Sequence, residues 1–162
     1  MEYKLIALDI DGTLLNSSNQ ITHNVKEAIK KSKEKGVKVV LCTGRPLKGV
    51  EDFLEELNLK EEGDYVTTFN GALVQDAYTG KPISHLTLDY NDLCDLYNLS
   101  LKIGSRSHFY DTKTVYTFNL DVSDYTILES YLTGAHLNVT TLDKVPKDIG
   151  MSKFMMIDHP EI

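Results

Sequence analysis

Tryptophan is absent, cysteine occurs twice, proline four times, and 17 basic residues face 24 acidic ones. Each shortage removes a class of protein. Cys42 and Cys94 are isolated, with no C-x-x-C spacing, which argues against a disulfide framework or a zinc site. Cys42, inside an apolar strand pattern, reads as a small buried apolar residue and not a nucleophile. The net charge of -7 is the opposite of the basic footprint of a nucleic-acid or anionic-membrane binder, so no nucleic-acid partner is expected. An anionic substrate then needs local compensation from a metal, backbone N–H groups or a few placed basic side chains. No apolar run approaches the roughly 20 residues that span a bilayer. The opening "MEYKLIALDI" has neither the basic flank nor the long apolar region of a signal peptide. The expectation is a cytoplasmic protein with no membrane partner.

What is present is 162 residues with 41% hydrophobic content, enough for one ordinary domain or two small ones. "YKLIALDI" is a near-continuous apolar run, as in a strand covered on both faces, and "GVKVVLCTG" repeats the style about thirty residues later. Between them, "ITHNVKEAIKKSKEKG" places Ile21, Val25, Ala28 and Ile29 at helical spacing, with Thr22 as cap and Gly36 as stop. This is a βαβ unit. "PLKGVEDFLEELNL" reads as a second amphipathic helix with Pro46 near its start, and "DYVTTFNGA" as a third strand ending in a turn. The alternation predicts an α/β fold with a Rossmann-like parallel sheet, in which ligands bind at the carboxyl ends of the strands.

After Gly71 the texture changes. "ALVQDAYTGKPISHLTL" predicts a hairpin around Thr79-Gly80, followed by a helix over roughly Tyr90 to Ile103. Tyrosine-rich strands follow around His108 to Phe118, then a helix near Ser123 to Leu132 and strands near Asn138 to Leu142 and Lys153 to Ile157. The second half is therefore α+β, and the division expected is residues 1–83 and 84–162.

Three strand ends carry the chemistry. Asp9 and Asp11 close the first strand, Thr43-Gly44-Arg45 the second, and Asn70-Gly71 the third. In a parallel sheet these turns share one edge. Two carboxylates held close repel each other unless a cation intervenes, and a hard, oxygen-liganded ion such as Mg²⁺ is the usual answer. Thr13 reads as a turn-stabilising hydroxyl. Arg45 admits two readings, a contact to substrate phosphate or carboxylate and a surface arginine on the next helix. Asn70 and Gly71 likewise admit a substrate contact or a plain Asn-Gly turn. His23, His85, His108, His136 and His159 lack ligand spacing, and none is assigned to metal or catalysis. "SHFYDTKTVYTF" reads as sheet packing and not as a ligand platform.

"DIDGTLL", then a hydrophobic strand ending in "TGRP", then "FNGA", resembles the haloacid dehalogenase-like superfamily, specifically its Cof-type phosphatases. The resemblance runs over almost the whole chain: three core strands, then the start of an inserted α+β cap in which "SKFMMID" resembles a strand. It implies an Mg²⁺-dependent phosphatase of small phosphate esters, of sugar-phosphate type, working through an aspartyl-phosphate. Asp9 would be the nucleophile and Asp11 the acid and base. The Asp9 side chain and the Asp11 backbone carbonyl would hold Mg²⁺. Gly12, Thr43, Gly44, Arg45, Asn70 and Gly71 would face phosphate or substrate.

The family's later lysine motif and its "GDxxND" strand do not occur here, and the sequence stops at "DHPEI", where a cap helix is expected to begin. The expectation is a fragment with weakened catalysis, whose exposed "KLIALDI" edge invites self-association. A non-catalytic fragment keeping only phosphate or cation binding is the competing reading. A phospho-acceptor receiver domain would need an aspartate at the end of the third strand, where Phe69-Asn70 stand.

Overall fold

Leu5–Asp9 (β1) and Lys38–Cys42 (β2) run parallel, with Leu5 opposite Lys38 and Asp9 opposite Cys42. The crossover between them is a helix, His23–Glu34 (α1). Thr22 caps it by accepting the Val25 N–H, and Gly36 follows its end at φ 77°. This is the βαβ unit expected from the apolar spacing. In this computed structural model residues 3–158 are described, and the chain divides into two units between His85 and Leu86. His159 and the helix expected to begin at "DHPEI" lie outside the described residues.

In the first unit the strands lie in the order β1-β2-β3-β4-β5. Tyr65–Thr68 (β3) continues the parallel pairing, with Cys42 opposite Thr67. Leu73–Asp76 (β4) and Pro82–His85 (β5) then add an antiparallel hairpin. Its turn is closed by Asp76, whose Oδ1 accepts from the Thr79 N–H at 2.7 Å and the Thr79 hydroxyl at 2.8 Å. The hairpin expected around Thr79-Gly80 thus forms, and it joins the first sheet, which is mixed.

Two local expectations change. The helix expected over "PLKGVEDFLEELNL" is a 3₁₀ turn at Leu47–Gly49 and a separate short helix, Glu51–Glu56 (α2). Val50 separates them at φ −131°, ψ −5°, and Asn58 at φ 53° ends the second, with the Leu59 N–H bonded back to the Leu54 carbonyl at 2.8 Å. The coverage of β1 on both faces is also not found: Leu5 is 55% exposed, and Ala7 and Asp9 are exposed. The reason is position. β1 is the edge strand and pairs only with β2 among the described residues.

The core of this unit gathers Ile29 from α1, Leu41 from β2, Leu54 from α2 and Val66 from β3. Ile10 and Leu14, from the turn after β1, are buried in it as well. Cys42 is half-buried, less enclosed than its strand pattern suggested.

The second unit is a four-stranded sheet in the order β8-β7-β6-β9, made of His136–Val139 (β8), Thr114–Thr117 (β7), Ser107–Tyr110 (β6) and Lys153–Met156 (β9). Two helices serve it, Tyr90–Ile103 (α3) and Asp124–Thr133 (α4). Asp89 and Asp92 form a capping box at the start of α3, and Gly104 ends it in the left-handed conformation. Phe109, Tyr116 and Phe154 pack with Leu93 of α3, whereas His108 and Tyr110 reach Thr126 and Glu129 of α4. The tyrosine-rich segment is sheet packing, as expected, with Phe109 stacked on Tyr116 at 5.0 Å. The strand expected near Asn138 to Leu142 starts earlier, at His136, and a 3₁₀ turn occupies Leu142–Lys144.

Candidate active site

Each of the three parallel strands of the first unit ends in a turn, and the register aligns those ends, since Asp9 lies opposite Cys42 and Cys42 opposite Thr67. After β1 the chain makes one wide turn, with the Leu15 N–H bonded to the Ile10 carbonyl at 3.1 Å. Gly12 sits in it at φ 78°, a conformation that side chains disfavour, while an added Cβ there would meet nothing. Ile10 and Leu14 anchor the turn in the core, which leaves Asp9 and Asp11 at the surface. The Thr13 hydroxyl donates to Asp9 Oδ2 at 3.2 Å, the turn-stabilising role read from the sequence.

After β2, Thr43 is buried and its Oγ1 accepts the Arg45 N–H at 3.2 Å. Gly44 is packed tightly: a Cβ there would lie 2.7 Å from Asn70 Oδ1, so the absent side chain makes room for Asn70. After β3 the backbone takes positive φ at three consecutive residues, Phe69, Asn70 and Gly71. The Phe69 N–H bonds to the Arg45 carbonyl at 3.3 Å and the Asn70 N–H to the Thr43 carbonyl at 2.9 Å. The second and third turns are therefore stitched together by main-chain bonds.

Arg45 ties the second turn to the first. Its Nε donates to Asp11 Oδ2 at 3.0 Å and its Nη2 to Asp11 Oδ1 at 2.6 Å, a two-pronged pair. Neither reading of Arg45 made from the sequence includes this partner. Nor does Arg45 lie on a helix, because the chain there is the turn before Leu47–Gly49. The available signal was the alignment of strand ends, which puts residues 11 and 45 at neighbouring turns.

All eight residues singled out from the sequence thus sit on these three turns. The oxygen donors at the first turn, the Asp9 carboxylate and the Asp11 carbonyl, suit a hard cation that keeps waters and shares a substrate phosphate. Among the described residues no group of three or more His, Cys, Asp or Glu side chains is arranged to hold a metal ion. Lys153, in β9 of the other unit, lies 3.6 Å from Glu129 and is part of that sheet's packing.

Fold and site together define an α/β protein with an acidic turn at the carboxyl edge of a Rossmann-like sheet. The chain belongs to the haloacid dehalogenase-like hydrolase family, whose model matches residues 6–162. It is 52% identical over 159 residues to YxeH of Bacillus subtilis (strain 168), provisionally named a phosphatase, with 98% of this chain and 59% of YxeH covered. It is 41% identical over 165 residues to M6_Spy0533 of Streptococcus pyogenes serotype M6, named in the same way, with 100% of this chain and 60% of that protein covered. The chain thus spans about three fifths of the length of these curated relatives. Among solved structures it is similar to a haloacid dehalogenase-like hydrolase from Bacteroides thetaiotaomicron (TM-score 0.73, 27% identity), covering 91% of this chain and 56% of the other.

Proposed function

We propose that this chain carries the nucleophilic half of an Mg²⁺-dependent phosphatase of small phosphorylated metabolites, acting through an aspartyl-phosphate on Asp9. The observation that carries this reading is the first turn itself. Asp9 ends β1 exposed, oriented by the Thr13 hydroxyl, with Asp11 two residues on and the Thr43-Gly44 turn at the adjoining strand end. An Asp9 oxygen attacks phosphorus while the ester oxygen leaves with a proton from Asp11. Water then attacks the phosphorus of the acyl phosphate and gives its proton to Asp11. Phosphate departs and Asp9 is restored. Thr43 and the Gly44 N–H hold phosphoryl oxygens, and Asn70-Gly71 face the substrate. Asp9 and the Asp11 carbonyl would hold Mg²⁺, which supplies neutralisation of charge between carboxylate and phosphate.

The substrate class is supported by the names of relatives. YitU of Bacillus subtilis, 30% identical over 135 residues, is named a 5-amino-6-(5-phospho-D-ribitylamino)uracil phosphatase, which acts on a low-molecular phosphate ester. A sugar-phosphate type of ester suits the same site, and a cytoplasmic location belongs to the same reading. No helix among the described residues is long and apolar enough to cross a membrane.

The test is hydrolysis of a generic aryl phosphate with Mg²⁺, comparing the chain with Asp9→Asn. A loss of at least about a hundredfold is expected for removing a covalent nucleophile. Equal activity in both rejects Asp9. A second reading is phosphate or cation binding without turnover, with the Asp11 carboxylate held by Arg45. Inactivity of both proteins, with both folded, selects it.

A further inference from the structure

Asp9, Asp11 and an incoming phosphate monoester bring three anionic groups to one strand edge. Over the turns Asp9–Leu14, Thr43–Pro46 and Phe69–Ala72 the one basic residue is Arg45. Its guanidinium is already committed. Two N–H groups hold both oxygens of Asp11, Nη1 donates to the Gly49 carbonyl at 3.3 Å, and the guanidinium carbon lies 5.6 Å from the centre of the Phe53 ring. Gly49 and Phe53 are a platform that fixes the stem of the fork, and Asp11 is what the fork grips.

That grip bears on Asp11. The edge of a carboxylate that accepts two parallel N–H bonds is closed to a substrate oxygen, because the fork occupies the directions in which such a contact would form. The pair is also accessible, with the Asp11 side chain 57% exposed and that of Arg45 31% exposed. A phosphoryl group presents the same two-oxygen edge as a carboxylate and carries more charge, so it competes for the fork on equal geometry and better electrostatics. It would arrive at Thr43-Gly44, the residues directly before Arg45.

We propose that Arg45 is a positioning residue that parks the Asp11 carboxylate in the free protein and hands it over when phosphoryl oxygens take the guanidinium. The inference rests on Thr43-Gly44 as the phosphate-holding turn and on Asp11 as the proton-transfer group. It adds a sequence of partners: Arg45 with Asp11 first, Arg45 with phosphate second, and Asp11, released from the fork, then free to take a proton from solvent water and give it to the leaving oxygen. A residue that merely braces the turn would keep its partner throughout.

The experiment is titration of the ¹⁵N-labelled chain with inorganic phosphate, observing the Arg45 Nε–H and the Thr43 and Gly44 amides. In the free protein the Arg45 signal should differ from that in Asp11→Asn, where the fork has lost its anion. On adding phosphate, the Arg45 signal and the two amides should move together with one half-saturation point. Arg45→Ala should raise that point about tenfold or more, the usual scale for losing charged hydrogen bonds. Arg45→Lys, which keeps the charge without the fork, should raise it less. Shifts at Thr43 and Gly44 with an unmoved Arg45 signal overturn the hand-over and leave the phosphate site standing. An Arg45 signal indifferent to Asp11→Asn overturns the parked pair. No shift at Thr43 and Gly44 overturns the phosphate-holding turn, and the hand-over falls with it.

Discussion

Gly44 and His108 show how much one side chain can decide. At Gly44 the space a Cβ needs is held by Asn70 Oδ1, 2.7 Å away. Gly44→Ala should cost roughly 1–3 kcal/mol by overpacking, measurable by denaturant unfolding, and Asn70→Gly in the same chain should recover most of the loss. Additive losses would show that the two positions do not share this contact. His108 is 1% exposed, with Nδ1 2.9 Å from Thr126 Oγ1 and Nε2 without a hydrogen-bond partner among the described residues. Burial pushes it down from the ordinary 6.5 to about 4, opposed by the nearby Glu129 carboxylate. In the folded chain it stays neutral while the unfolded chain takes up a proton. Its contribution is therefore fully present above pH 6.5 and is lost as pH falls from there to about 4. The loss should reach about 3 kcal/mol. Unfolding measured at pH 7.5 and at pH 4.5 should show this slope, and His108→Asn should flatten it. The alignment of strand ends puts residues 44 and 70 at neighbouring turns but does not show that one fills the space of the other's side chain, and histidines without ligand spacing carry no sign of burial.

At the scale of elements, local chemistry predicted well wherever both ends of an element carried a signal. α3 occupies Tyr90–Ile103 as its pattern indicated, because Asp89 and Asp92 close its start and Gly104 its end. Asp89→Ala removes the acceptor of two helix N–H groups and should cost about 1 kcal/mol. Thermal unfolding checks this, and an unchanged midpoint would count against the capping box. α1 followed in the same way from Thr22 and Gly36. The segment from Pro46 to Leu59 failed because its apolar residues keep helical spacing across Gly49 and Val50, where the backbone leaves the helix. Periodicity reports which face is buried, and Leu47 and Leu54 do pack on the same core from two separate pieces. β8 began early because Gly134 ends α4 in the left-handed conformation and leaves His136 free to pair with Thr114.

For the whole molecule, the edge position of β1 has the largest consequence. A parallel strand of apolar residues is ordinarily covered on both sides, whereas here Leu5 is 55% exposed and the outer row of backbone groups has no strand partner among the described residues. We expect concentration-dependent self-association of this chain in light scattering, reduced by Leu5→Lys. A strictly monomeric species over the accessible concentrations rejects it. The sequence by itself determined the βαβ unit, the caps, the two textures of the chain and the identity of the residues at the three strand ends. It could do so because helix and strand periods, capping and turn residues act within a few positions of one another. Only the tertiary structure decided that the Thr79-Gly80 hairpin extends the first sheet, that His108 is buried, and that Arg45 grips Asp11. Each of these joins groups far apart in the chain, and packing, which no local signal encodes, sets their distance.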